Sequence, residues 1–198
     1  LKILSIFGPV YLAAWTVGNR ISLLARNPSF GIQSALRTMV GQNIGAREFN
    51  RATNSVKFSF LVLIVLMGSI AILLFLFAEN LSEFFGLKDE LSIKVSVLCL
   101  RILSVGLFFE AIFRMILGAF HGAANTKPPM IVEFFTRWFV QIPVAYVISI
   151  ILDFGGSGVW IAMSGGQILS CVLLLLWYYF WIKKEGIGSY SVLKNKGI

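Results

Sequence analysis

The chain has 198 residues, of which 58% are hydrophobic and only 13% are charged, and its mean hydropathy is +0.85. A soluble domain needs more polar surface than this composition provides, so the sequence predicts an integral membrane protein whose main surroundings are the lipid bilayer. The net charge of +8 would suggest a nucleic-acid partner for a soluble protein. Here the basic residues lie between the apolar segments, where they indicate membrane topology, and no nucleic acid is expected.

Five apolar segments are long enough to cross a bilayer as helices, so the predicted fold class is all-α. They cover residues 9–41, 58–78, 91–122, 129–152 and 158–182, and a polar tail follows over residues 185–198. Basic residues collect in the connections on one side, at Arg47, Arg51, Lys57, Lys127 and Lys183, whereas the other connections are mainly acidic. This bias predicts a multi-pass protein of the cell membrane with a cytoplasmic C-terminus.

Polar side chains recur along the first of these spans. Asn19, Arg26 and Gln33 are spaced by seven residues, with Arg20 one step from the first of them. Seven residues make nearly two helical turns, so these side chains are expected to form a polar face that lines a cavity, because lipid cannot satisfy them. Alternatively, the arginines extend to the membrane surface or pair with other helices. Pro28 is expected to kink or interrupt this helix.

The connecting segments contain few apolar residues and several glycines. VGQNIGAREFNRATNSVK is predicted to be a loop, AENLSEFFGLKDE an acidic connection, and residues 153–158 a glycine-rich turn. Gly118 and Gly122, like Gly41 and Gly45, stand four residues apart, a spacing that allows close helix packing or marks a helix end.

Glu110 and Arg114 lie near the middle of the third span, where a charge is costly. A carboxylate in such a place can alternate between protonated, cation-bound and salt-bridged states, which is the chemistry of a coupling site. Alternatively, Arg114 simply neutralises Glu110 from one turn away. The fourth span repeats this spacing with Glu133 and Arg137, for which a structural pair is the preferred interpretation.

Further polar residues in the apolar spans are Gln141 and Gln167. There is no GxxxxGKT or HExxH motif and no pair of closely spaced cysteines, so an enzyme is not expected and no cofactor is predicted. Cys99 and Cys171 are expected to be core residues. His121, the single histidine, is expected to lie at the membrane boundary without a transport role.

Four segments in chain order resemble the multidrug and toxin extrusion (MATE) family. TMVGQNIGAREFNRA resembles the loop between the family's eighth and ninth helices, and GAFHGAANTKPPM resembles the loop after the tenth; IPVAYVIS and GGSGVWIAM resemble its eleventh and twelfth helices. The resemblance implies twelve helices in two six-helix lobes with both termini cytoplasmic. This chain would supply most of the C-terminal lobe, from the end of helix 7 through helix 12, and the N-terminal lobe would be its missing partner.

The resemblance also implies functional residues. Glu110 would bind the coupling ion, which is either a proton or a sodium ion with Glu110 as its metal ligand. A second acidic residue of the family's cation site lies on the seventh helix in a part that this chain lacks, and the family's loop arginine and aspartate are replaced by His121 and Asn125. The expected substrate cavity comprises Asn19, Arg20, Arg26, Gln33, Arg114, Arg137, Gln141 and Gln167.

Three functions are consistent with these residues. The first is a secondary active antiporter that exports small organic, cationic drugs or toxins in exchange for sodium ions or protons. The second is a lipid-linked oligosaccharide flippase of the same superfamily, in which arginines of the first span would hold a pyrophosphate. The third is a non-transporting membrane scaffold, in which the polar face and buried charges would have no role.

Overall fold

The structure is a computed structural model that describes residues 4–185, and every regular element within that range is helical. A short 3-10 helix, Leu4–Phe7, precedes α1 (Pro9–Gly45), α2 (Phe49–Leu76), α3 (Ala78–Phe84) and α4 (Glu90–Gly122). The remaining elements are α5 (Lys127–Phe135), a π-helix (Thr136–Gln141), α6 (Ile142–Tyr146), a second π-helix (Val147–Ile151) and α7 (Gly155–Glu185). The predicted polar tail, beyond Glu185, lies outside the described residues.

Four helical segments are long and apolar enough to cross a bilayer, which confirms the predicted class of helical membrane protein. They are Phe49–Leu76, Glu90–Gly122, Lys127–Ile151 and Gly155–Lys183. The third of these, called the π-containing span below, consists of α5, α6 and both π-helices. Helix α1 has 37 residues but does not reach the same apolarity. Its crossing of the bilayer therefore stays a prediction.

The loop between the first two spans is much shorter than the sequence predicted. Helix α1 continues to Gly45 and α2 begins at Phe49, so only residues 46–48 connect them. Arg47 makes this turn in the left-handed backbone region with a φ of 60°. The polar residues of this segment extend the helices beyond the apolar stretch, because water can solvate their side chains while the backbone bonds stay intact.

Two other expectations for local structure are corrected, the first of them in part. Pro28 does not interrupt α1, which is helical throughout, and the kink at Pro28 stays a prediction. The acidic connection contains a short helix, α3, whose Ser82 hydroxyl lies 2.9 Å from the Ser96 hydroxyl of α4 in a buried hydrogen bond. This bond holds the connection against the helix that follows it.

Helix α4 is central to the bundle and packs against α1, α2 and α7. Its contact with α1 is closest at two glycines: a Cβ atom placed on Gly118 or Gly122 would lie 2.7 Å from the carbonyl oxygen of Gln33 or Arg37, respectively. Only glycine allows this approach, so the packing interpretation of Gly118 and Gly122 is confirmed. Cys99 and Cys171 are free and buried, as expected of core residues.

Candidate functional site: a buried carboxylate in an arginine-lined cavity

A cavity of about 160 Å³ lies between α1, α4, the π-containing span and α7. Each of these helices contributes a polar side chain, and the described residues of the lining include three arginines and a single carboxylate. The lining residues are Trp15, Asn19, Ser22, Arg26, Leu103, Gly106, Leu107, Glu110, Arg114, Arg137, Gln141, Met163, Ser164 and Gln167.

Glu110 is the buried acid of this cavity, with 7% of its surface exposed. One carboxylate oxygen, Oε1, accepts hydrogen bonds from Arg114 Nη2 at 2.6 Å and Arg114 Nε at 3.1 Å. The same oxygen lies 3.5 Å from Nη1 of Arg26 on α1. Glu110 therefore joins a pair within its own helix to a pair between helices, and its second oxygen, Oε2, accepts no hydrogen bond from the described residues.

The two guanidinium groups have different second contacts. Arg114 lies over the ring of Phe30, with its Cζ atom 4.2 Å from the ring centroid, a cation–π contact that fixes its position on the α1 side. Arg26 has a buried Nε atom without a hydrogen-bond partner among the described residues. The N–H group at Nε of Arg26 is therefore an unused hydrogen-bond donor. A ligand that brought an acceptor to it would form an additional hydrogen bond.

The π-containing span brings Arg137 and Gln141 to the opposite wall. Arg137 donates from Nη2 at 2.8 Å and from Nε at 3.1 Å to one oxygen of Glu133, as the structural-pair interpretation expected. Both cavity residues lie on the π-helix Thr136–Gln141, just before Pro143. A π-helix has a wider turn than an α-helix and often occurs at functional sites. The π-helical backbone of residues 136–141 therefore determines where the side chains of Arg137 and Gln141 enter the cavity.

Seven of the nine predicted site residues meet at this cavity, namely Asn19, Arg26, Glu110, Arg114, Arg137, Gln141 and Gln167. Arg20 does not, because it is one residue from Asn19 and so about 100° around α1, where it is exposed. Gln33 does not either, although it lies on nearly the same face. Its backbone carbonyl lies against Gly118, where α1 and α4 pack closely, and its side-chain Oε1 is buried without a hydrogen-bond partner among the described residues.

Trp15, Ser22, Gly106, Met163 and Ser164 also line the cavity and were not predicted. The spacing of a helix could have predicted several of these residues from the ones already identified. Trp15 and Ser22 stand four residues before and three residues after Asn19, and Ser164 stands three before Gln167. Gly106 provides space, since a Cβ atom there would lie 2.6 Å from the Ser164 hydroxyl oxygen.

The described lining of the cavity offers a sodium ion at Glu110 no second carboxylate. Among residues 4–185 there is no group of three or more histidine, cysteine, aspartate or glutamate side chains placed to hold a metal ion. The cation ligands on the cavity wall are the carboxylate of Glu110 and neutral oxygens such as those of Asn19 and Gln167. Sodium as the ion that binds Glu110 stays a proposal.

Comparisons with known proteins agree with the resemblance stated above. The family model MatE matches residues 2–147. A probable multidrug resistance protein NorM of Thermotoga maritima is 32% identical over 89% of this chain and 38% of its own length. A probable multidrug resistance protein YoeA of Bacillus subtilis is 26% identical over 90% and 39%, respectively.

The solved structure of the eukaryotic MATE transporter AtDTX14 matches 96% of this chain and 41% of its own, with a TM-score of 0.83 and 16% identity. An inward-facing multidrug resistance MATE family transporter matches with a TM-score of 0.75. The chain thus spans about two fifths of the length of these relatives, which agrees with the expected partial lobe. On the family match and the shared fold, the chain belongs to the MatE family.

Proposed function

We propose that the complete protein is a secondary active antiporter that exports small organic compounds in exchange for protons or sodium ions, with Glu110 as the coupling residue. The observation that carries this proposal is the burial of Glu110 in a cavity where, among the residues from 4 to 185, it is the one carboxylate beside three arginines. The relatives named as multidrug resistance proteins support the class of substrate.

The charges of the cavity suggest how exchange would work. When Glu110 is ionised, it offsets part of the charge of Arg26 and Arg114, so the cavity repels an organic cation less strongly. When a proton or sodium ion neutralises Glu110, the two guanidinium groups lose their counter-charge and repel a cation. Coupling ion and cationic substrate therefore disfavour each other's binding, and each favours a different arrangement of the two lobes.

The same charges support a second candidate, a flippase for lipid-linked oligosaccharides. Arg26, Arg114 and Arg137 surround one space, and Arg26 has an unused buried donor. Guanidinium groups bind phosphate oxygens in pairs, so a pyrophosphate would fit this wall. The missing lobe decides between the two, because an organic cation needs more negative charge than the described residues of this cavity supply.

The test is transport by the full-length protein in proteoliposomes under an imposed proton or sodium gradient. Glu110→Gln should abolish gradient-driven export of a fluorescent organic cation while the protein still elutes as a single folded species. Glu90→Gln is the matched control, because Glu90 forms the same type of pair with Lys94 on the same helix but is exposed. Wild-type export by Glu110→Gln would remove Glu110 from the mechanism.

The second candidate is tested in the same vesicles with a fluorescent lipid-linked pyrophosphate sugar. Movement of this lipid without export of the organic cation would favour the flippase function over the antiporter function. Movement of neither compound would favour a membrane scaffold.

A further inference from the structure

A second open space, unrelated to the cavity of Glu110, lies between α2 and α4. It is an apolar groove of about 370 Å³, walled by Gly68, Ile72 and Phe75 of α2 and by Val105 and Phe108 of α4. The groove and the cavity lie on opposite sides of α4: at 100° per residue, their lining residues on this helix are centred about 150° apart. The groove therefore belongs to a face that the proposed transport mechanism does not use.

A single basic side chain stands at one end of this groove. Arg101 is exposed, and its guanidinium carbon lies 5.3 Å from the ring centroid of Phe75. No carboxylate of the described residues lies within ion-pair distance of it, whereas Lys94, on the same face of α4 two turns earlier, is paired with Glu90 at 2.6 Å. Arg101 is thus a positioned cation without a protein counter-charge in the described chain.

The position of Arg101 along the helices indicates its depth in the membrane. Phe75 is in the last turn of α2, a helix of 28 residues and therefore about 42 Å long. Its charge-free part, residues 58–76, is about 28 Å long and matches the hydrocarbon thickness, so the end of α2 is at the boundary with the headgroups. From Arg101 the groove runs about 10 Å along α2, from Phe75 back to Gly68, into the hydrocarbon region.

We propose that this groove binds an anionic phospholipid, with its phosphate on Arg101 and one acyl chain against Ile72, Val105 and Phe108. A lipid supplies both of the features that the site lacks: apolar contact for side chains such as Ile72, which is 60% exposed, and a negative charge at headgroup depth for Arg101. Guanidinium groups bind phosphate oxygens through two parallel hydrogen bonds. An apolar helix of a partner protein would fill the groove but leave Arg101 without a counter-charge.

The experiment is native mass spectrometry of the full-length protein in detergent, titrated with phosphatidylglycerol. Arg101→Gln should weaken the tightest lipid-binding step by about tenfold, the factor expected for the loss of a hydrogen bond to a charged group. Ala71→Phe, which fills the groove and keeps Arg101, should weaken it to a similar degree. Lys94→Gln, which removes one charge from the same face, should leave it unchanged.

Several results would overturn the proposal. These are an unchanged affinity in Arg101→Gln, an equal loss in Lys94→Gln, and wild-type binding in both Ala71→Phe and a second groove-filling variant, Val105→Phe. Displacement of the lipid by millimolar glycerol 3-phosphate, which has no acyl chain, would show that the phosphate alone is the ligand. Absence of retained lipid in the wild type would point to a protein partner on this face.

Discussion

Arg26 of α1 and Glu110 of α4 form an ion pair of 3.5 Å that joins two different helices inside the cavity. Arg114 also binds Glu110, but from the same helix, and it reaches α1 only through its cation–π contact with Phe30. The Arg26 contact is the one that joins the Glu110 carboxylate itself to α1. This pair is accordingly the first target for mutation.

The pair predicts a measurable coupling between the two positions. Arg26→Gln should lower the free energy of unfolding by about 1–2 kcal/mol, because it leaves a buried carboxylate with less counter-charge. The same change in a Glu110→Gln background should cost far less. Unfolding of the four proteins of this cycle in detergent gives the coupling energy. The exposed pair of Glu90 and Lys94 is the control, and an equally small coupling at Arg26 and Glu110 would contradict the prediction.

Two glycines on different helices should respond oppositely to alanine. Gly118→Ala should destabilise the protein by about 1–3 kcal/mol, because the added Cβ atom would clash with the Gln33 carbonyl oxygen and push α1 away from α4. Gly31→Ala should stabilise it by about 0.5–1 kcal/mol, because the site is helical and has open space around it. Thermal unfolding of both variants checks the signs, and a loss in both would mean that the contact of Gly118 is not the cause.

Pro143 should control where the opposite wall of the cavity stands. Proline has no N–H group to donate to the preceding turn, and a π-helix carrying Arg137 and Gln141 ends just before it. Pro143→Ala restores the backbone N–H donor at residue 143 and should favour an α-helix over the π-helix. That change would rotate the side chains of Arg137 and Gln141 around the helix axis. In Gln141→Cys protein, Pro143→Ala should slow labelling by a small maleimide several-fold, with little background from Cys99 and Cys171, which are both buried. An unchanged rate would show that Pro143 does not set this wall.

The charge bias of the connections predicts the topology. Glu83 and Glu48 are exposed residues in connections at opposite ends of α2. In intact cells, Glu83→Cys should react with a membrane-impermeant maleimide, whereas Glu48→Cys should react only after permeabilisation. The reversed pattern would invert the orientation and place the tail outside.

The apolar segments and the polar face of α1 predicted the helices and most of the cavity, because both depend on local periodicity. Arg20 shows where that logic fails: a sequence neighbour of Asn19 lies on another face. The pairing of Arg26 with Glu110 required the crossing of α1 and α4, which no local pattern contains. The π-helices also escaped prediction, since a proline signals an irregular helix but does not specify its form. Arg101 and its groove likewise depend on how α2 and α4 pack.

The close contact of Gly118 with Gln33 also determines how this pair of helices can move. Backbone lies directly on backbone there, so no layer of side chains can compress or slide, and α1 cannot shift along α4 without a clash. Arg26 stands seven residues from Gln33, about 10 Å along α1. A change in the spacing of the two helices at Arg26 and Glu110 is therefore expected to come from rotation of α1 about the contacts at Gly118 and Gly122, which moves the cavity end of α1 most.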